Sequence, residues 1–319
     1  MNVQSISLLV AFTAAVTIST SANADPSGTG SDHQLDREIN AVLNLDSSWH
    51  TTLQIDEAPN QPIRVSIPLE DGWYTLELEP HSVRDEAYSL FMQDAEGEIY
   101  EVEPGPIRTL RGPIAELEGS LVAGSLMEDG LYARIRLADG SEYWMEPVGN
   151  KIDRAPSNMY AFYRNEDIIP SGGSCASEHH MDVSKVLHML ENYDVANSAN
   201  RGDILKIAQI ACDADYEYFQ DWGSNTESRI NSVINGLNSQ YESEVLIRHE
   251  ITSIIVRSDS NDPYTSSDAG ALLDQFRNHW NSNHGSIARD VAHLFTGRNL
   301  DGGTIGVAWL GVVCYTSSA

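Results

Sequence analysis

Histidines and cysteines are the side chains best suited to chemistry in this sequence, and their spacing limits what that chemistry can be. A helix carrying H-E-x-x-H sets two imidazoles one turn apart on one face. There they bind zinc, with the glutamate as base for the metal-bound water. The single His-Glu start is His249-Glu250, and Ser253 stands where the second histidine would fall. It also lies within Val245 to Val256, whose β-branched residues predict a strand rather than a helix. His179 and His180 are adjacent and would point in different directions in any regular element. His279, His284 and His293 lack regular ligand spacing, and His293 reads as a packing residue; His50 and His81 are scattered. No G-x-S-x-G elbow, phosphate loop or dinucleotide fingerprint occurs. Cys175, Cys212 and Cys314 make an odd count, which leaves one thiol over if two pair.

The start of the chain predicts export. Leu8 to Ile18 is apolar but too short to span a bilayer, and Ala22-Asn23-Ala24 is a small-residue cleavage signal. Residues 1–24 thus read as a signal peptide, although Met1 to Ser7 carries no Lys or Arg. Asp25 would open a secreted or periplasmic protein in which disulfides are permitted. Asp and Glu number 47 against 19 Lys and Arg, for a net charge of −28. That balance argues against nucleic acid and anionic membrane as partners. Acidic residues are so plentiful that no cluster singles out a calcium site, so calcium stays unsupported.

The elements that must position any site fall into two parts. Residues 25–34 read as a flexible start. From about 49 to 150, short alternating runs predict a β-rich domain: Ile63 to Ile67, Trp73 to Leu78 and Tyr132 to Leu137, with Asp139-Gly140 turning toward Tyr143-Trp144-Met145. Pro156, Pro170, Gly172 and Gly173 punctuate 151–200, which reads as a linker with a short helix at Asp182 to Asn192. From about 203 the expected order is strand, helix, strand, helix, strand, strand. Ile204 to Ala211 opens it. Ser224 and Glu227 form a capping-box signature before Ile230, Val233, Ile234, Leu237 and Tyr241 at helical spacing. Leu272, Leu273, Phe276 and Trp280 mark a second helix, and Val291 to Phe295 and Thr304 to Val313 two strands. Strands alternating with helices imply an α/β layer with a partly parallel sheet.

His293-Leu294-Phe295-Thr296-Gly297-Arg298, followed by Gly303 to Cys314, resembles the run just upstream of the zinc helix in adamalysin/reprolysin-like metzincin proteases. Asp213 to Glu217, the Ser224–Tyr241 helix and Asp262-Pro263-Tyr264 fall in the order that family shows, so the resemblance covers about 201–319. More loosely, Leu110-Arg111-Gly112, Glu118-Gly119-Ser120, Gly130-Leu131-Tyr132 and Tyr143 to Pro147 resemble the β-rich propeptide of bacterial relatives.

The resemblance implies a β-rich propeptide domain at 25–150, then at 201–319 the front of a metzincin catalytic domain with a mixed, mostly parallel sheet and two helices. It implies a secreted zinc metalloendopeptidase precursor acting on polypeptides and bound by its own propeptide. Zinc-bound water would attack the peptide carbonyl, with zinc ligands expected beyond Ala319. The chain as given would then be inactive alone, with no catalytic residues of its own. Thr304, Ile305, Gly306, Val307, Ala308, Trp309, Leu310 and Gly311 would match the edge strand bordering the substrate cleft, where an extended peptide adds as a further strand. Cys314 would match a cysteine whose partner follows the zinc helix. Cys175 has two readings: a cysteine switch on the zinc, or a disulfide to Cys212. The rival function is a catalytically dead, secreted binding or inhibitory relative.

Overall fold

The computed structural model describes residues 32–55, 58–175 and 204–309. The expected signal peptide, the helix at Asp182 to Asn192, Cys314 and the strand residues from Leu310 on lie outside these residues. The chain divides into two compact units that interleave in sequence. One takes Pro106–Ser171 and the described residues up to Ser82. The other takes Val83–Gly105 and the residues from Gly172 on.

The first unit is an antiparallel sheet built by alternation. It comprises β1 (Trp49–Thr52), β2 (Ile63–Leu69), β3 (Gly72–Pro80), β6 (Thr109–Ile114), β7 (Leu117–Met127), β8 (Gly130–Arg136), β9 (Glu142–Pro147) and β10 (Met159–Arg164). The strand order is β1-β10-β9-β8-β7-β6-β3-β2. Along β2, Ile63, Val65, Ile67 and Leu69 are buried while Arg64 and Ser66 are exposed, as period two requires. With Leu76, Leu131, Ile135, Met145 and Phe162 they form one core. On β10 the next residue, Ala161, faces a second cluster, where Ile39 of α1 (Asp32–Leu43) meets Val148 and Met159. Gly140, at φ 90°, makes the expected turn between β8 and β9.

The second unit carries a five-stranded sheet in the order β14-β12-β13-β4-β5. Its strands are β12 (Lys206–Ala214), β13 (Ile247–Val256), β14 (Val291–Phe295), β4 (Arg84–Gln93) and β5 (Ile99–Val102). The first four run parallel and β5 returns antiparallel. A short helix that the sequence reading did not expect, α2 (Tyr216–Trp222), follows β12; α3 (Thr226–Glu244) then comes before β13 and α4 (Ala269–Asn283) after it, as expected. Right-handed crossovers to opposite sides of β12 put α3 and α4 on opposite faces. Ile230, Ile234 and Leu237 of α3 pack on Cys212, Ala214, Ile254 and Phe295. Leu272, Phe276 and Trp280 of α4 pack on Ala211, Ile255 and Leu294. Both faces are covered, so β14 and the C-terminal halves of β12 and β13 are buried on both sides.

Besides the passage of Val83–Gly105 from the expected 25–150 domain into the second unit, the structure departs from the sequence reading elsewhere. A helix, α1, begins inside the supposed flexible start. The antiparallel sheet runs on past residue 150, because Met159–Arg164 is apolar enough to form β10 between β1 and β9. The capping box of Ser224 and Glu227 is not formed: Asn225 is the N-cap with no side-chain cap bond, and Glu227 faces elsewhere. The strand expected at Thr304 to Val313 is regular, among the described residues, only over Thr304–Gly306, as β15.

Gly112 tests the β3–β6 approach. A Cβ there would lie 1.8 Å from the Glu77 carbonyl oxygen, which is main chain and cannot swing aside. Gly112→Ala is expected to destabilise the first unit by about 1–3 kcal/mol, read as a lower urea midpoint. An unchanged midpoint would mean the strands are not so close.

Candidate functional site

The candidate site is assembled where the parallel strands end. Asp213, one residue before the end of β12, is fully buried on the α4 face. Arg257 grips it with two bonds, Nε to Oδ1 at 2.9 Å and Nη2 to Oδ2 at 2.7 Å. Tyr264 Oη and Trp280 Nε1 also donate to Oδ2, at 2.6 and 2.9 Å. Burial alone would raise the Asp213 carboxyl. The Arg257 charge and the three donors outweigh it and hold the group below the usual carboxylate range. The same Nη2 also faces two imidazoles, His279 Nε2 at 3.4 Å and His284 Nε2 at 3.3 Å. Burial pushes the His284 imidazole down to about 4, against the pull of Asp213 and with help from Arg257.

Asp215, two residues on, anchors the next turn. It caps α2 by accepting from Tyr218 N at 2.8 Å, and it accepts from Gly297 N at 3.0 Å and from Thr296 Oγ1. Burial pushes its carboxyl up to about 6 against these donors. Gly297 is required by contact, since a Cβ would lie 2.5 Å from the Glu217 carbonyl carbon. Arg298 then bonds Glu217 at 2.8 Å. The Thr296-Gly297-Arg298 run is thereby the joint between β14 and the segment that leads to β15. Asp301 N donates to Ser267 O at 2.9 Å, and Gly302 and Gly303, at φ 69° and 72°, turn the chain into β15.

The regular part of the expected substrate strand, β15, has one strand partner among the described residues. It is β11 (Ser174–Cys175), in parallel, with Ser174 opposite Thr304 and Cys175 opposite Gly306. Gly173 passes so close that a Cβ would sit 2.3 Å from the Ile305 side chain. Beyond Gly306, Val307 and Trp309 are buried against α4, and Ala308 between them is half-buried. Leu310 and Gly311 are outside the described residues.

The two described cysteines do not meet. Cys175 is exposed and Cys212 is buried, both as free thiols, so the Cys175–Cys212 disulfide is not formed. Cys212 lies in the core beneath α3, buried with Ile230, Ile234 and Ile254. Burial pushes its thiol up, so it holds its proton and is a poor metal ligand. Among the described residues no group of three or more His, Cys, Asp or Glu is arranged to hold a metal ion. His249 sits in β13, bonded to Asn238, and His293 packs on Phe295 at 4.5 Å between ring centres. In the sequence alone, Asp213 and Asp215 carry no evident role and Arg257 escapes notice. The available signal is a pair of acids at the end of an apolar strand, which burial compels to find partners.

Residues 205–319 match the family described as Reprolysin_5, metallo-peptidase family M12. A search of curated proteins gives no match. Among solved structures, the chain is similar to metalloproteinase-II from Bacteroides fragilis at 9% identity. The match covers 77% of this chain and 68% of that one, with a TM-score of 0.33, too loose to bear on the site.

The imidazoles give the second unit an acid limit. Burial pushes His293 down to about 3, as it pushes His284 to about 4, both from 6.5. Lowered folded values mean that the stability they contribute is complete above about pH 6.5 and is lost as pH falls toward 4 and 3. Asp215, raised, works in the opposite sense, but by a smaller shift. The urea midpoint of this unit is expected to fall between pH 6.5 and 4, and to fall less steeply in His293→Phe. A flat wild-type profile, or the same slope in the variant, would contradict this.

Proposed function

We propose that this chain, similar over residues 205–319 to metallo-peptidase family M12, is an exported peptidase precursor whose residues Gly172–Cys175 keep its substrate strand occupied. Peptidases act on polypeptides, and those of this family generally use zinc. The observation that carries the reading is the parallel pairing of β11 with β15.

A strand edge with free N–H and C=O groups accepts an extended peptide through main-chain hydrogen bonds. β15 would be such an edge, anchored after its end by the buried Val307 and Trp309 and preceded by the Thr296-Gly297 turn bonded to Asp215. With β11 in place the edge is taken. Ser174 and Cys175 are themselves exposed, so the occupant lies at the surface, where it can be displaced or cut. The chain's own residues would thus bind and orient a polypeptide, and a short upstream stretch would compete for the same place.

Zinc does not fit the residues described. The imidazole pair His279 and His284 faces the Arg257 guanidinium, whose charge repels a cation. Cys175 has no group of ligands around it among the described residues. H-E-x-x-H is absent from the 319 residues. Purified 1–319 supplied with zinc is therefore expected to retain none stoichiometrically and to leave casein uncut. Stoichiometric zinc together with cleavage would contradict this.

The occupied edge has its own test. Gly173→Val puts a branched side chain against Ile305 and should drive β11 off. Amide exchange at Thr304–Gly306 is then expected to rise by about tenfold, equivalent to about 1.4 kcal/mol of opening free energy. Fluorescently labelled unfolded casein should also bind the variant more tightly than the wild type. Unchanged exchange and unchanged binding would sink the proposal.

A further inference from the structure

The chain leaves the antiparallel sheet after β3 and returns to it at β6, yet these two strands are neighbours. Glu79 lies opposite Arg111, Pro80 lies opposite Leu110, and His81 N donates to Thr109 O at 2.9 Å. The hairpin Val83–Gly105 is thus an insertion at a closed joint, and apart from the β4–β5 ladder within it, its strand pairing is with β13 of the other unit. β4 lies parallel to β13, with Ser89, Leu90, Phe91 and Met92 opposite Ser253, Ile254, Ile255 and Val256. Its side chains feed both faces of that sheet. Leu90 is buried on the α3 side, with Tyr88, Met92 and Val102 around it, and Phe91 and Ile99 pack on the α4 side.

Polar clamps hold the hairpin at both ends. At its base, Glu227 of α3 is 7% exposed and spends both carboxylate oxygens on the hairpin. Arg84 lies 3.0 Å from Oε1, Tyr88 Oη donates to Oε1 at 2.9 Å, and Gly105 N donates to Oε2 at 2.9 Å. This is where the expected capping glutamate has gone. At the tip, Gln93 is 1% exposed and accepts from Arg257 at 3.1 Å, the same guanidinium that grips Asp213. Ser258 Oγ donates to Gln93 O, and Asn261 Nδ2 donates to Ala95 O at 2.9 Å.

We infer that the hairpin Val83–Gly105 is a strand donor that completes the sheet of the C-terminal unit and keeps the two parts of the chain joined after a cut between them. The stretch similar to family M12 begins at residue 205, so the sheet of that stretch depends on residues more than a hundred positions upstream. Cleavage after Ser171 breaks the covalent link but leaves β4 on β13. Without the hairpin, Glu227 is a buried carboxylate stripped of these partners and the β13 edge is open. Releasing the N-terminal part therefore requires displacement of a strand or a second cut beside the hairpin. The inference does not rest on the peptidase reading and stands if that reading fails.

The test is a full-length chain with a sequence-specific protease site inserted between Ser171 and Gly172, which leaves β11 on the C-terminal piece. After cutting, the two pieces are expected to co-elute on size exclusion at micromolar concentration, with amides 251–256 still protected from exchange. Leu90→Pro, which removes a ladder N–H, should let the pieces separate. The milder Glu227→Gln, which keeps the shape and removes the charge, should raise their dissociation constant by about tenfold. Separation of the wild-type pieces with protection of 251–256 intact would overturn the inference. So would continued co-elution of both variants at wild-type affinity, since the joint would then lie elsewhere.

Discussion

The buried pair Asp213–Arg257 is the constraint on which the C-terminal unit depends. Two charges so far from water are tolerated only when each is neutralised and hydrogen-bonded. The partners that do this come from segments far apart in the sequence. Trp280 reaches in from α4, Tyr264 from the loop after β13, Gln93 from the inserted hairpin, and His279 and His284 from the end of α4. Leaving any of these polar groups without its bond in the core carries a desolvation cost, so the pair fixes where α4, the loop after β13 and the hairpin end up relative to β12. Asp215 repeats the device one turn later and aims the chain toward β15.

Both functional ideas turn on how strand edges are satisfied. A sheet edge left open in water invites pairing with whatever strand arrives. Here β13 has its edge covered by β4, and β15 has its edge covered by β11. The two coverings differ in kind. β4 pairs over several residues, fills both faces of the core and is clamped by Glu227 and Arg257. β11 pairs at two exposed residues and puts no side chain into the core. On the proposed reading, the first is built to stay and the second to yield.

Much of this is legible in the sequence. Alternation marks β2, β3, β8 and β9, and helical spacing marks α3 and α4, because each buries one face against one sheet. The His293 to Arg298 run points to the family, and the structure gives its physical reason: Gly297 touches the α2 main chain, and Thr296 with Gly297 satisfies Asp215. The features that stay hidden depend on long-range pairing. The run Arg84–Gln93 has charged and small residues at its start and shows no clean period. Nothing local says that it will leave one sheet and join another. Glu227 looks like a capping residue because spacing alone cannot reveal that Arg84, Tyr88 and Gly105 will compete for it. The short reach of β15 is likewise hidden, since Val307 and Trp309 turn into the α4 core rather than continuing a ladder.

The most direct measurement of the strand pairing on which the proposed function rests is a set of main-chain proton–proton contacts across β11 and β15 by nuclear magnetic resonance on deuterated full-length protein. Contacts linking Ser174 with Thr304 and Cys175 with Gly306, in the pattern of a parallel pair, are the expected result. Their absence, with Gly172–Cys175 showing the averaged signals of a free chain, would mean that the edge is open and that these residues do not hold it.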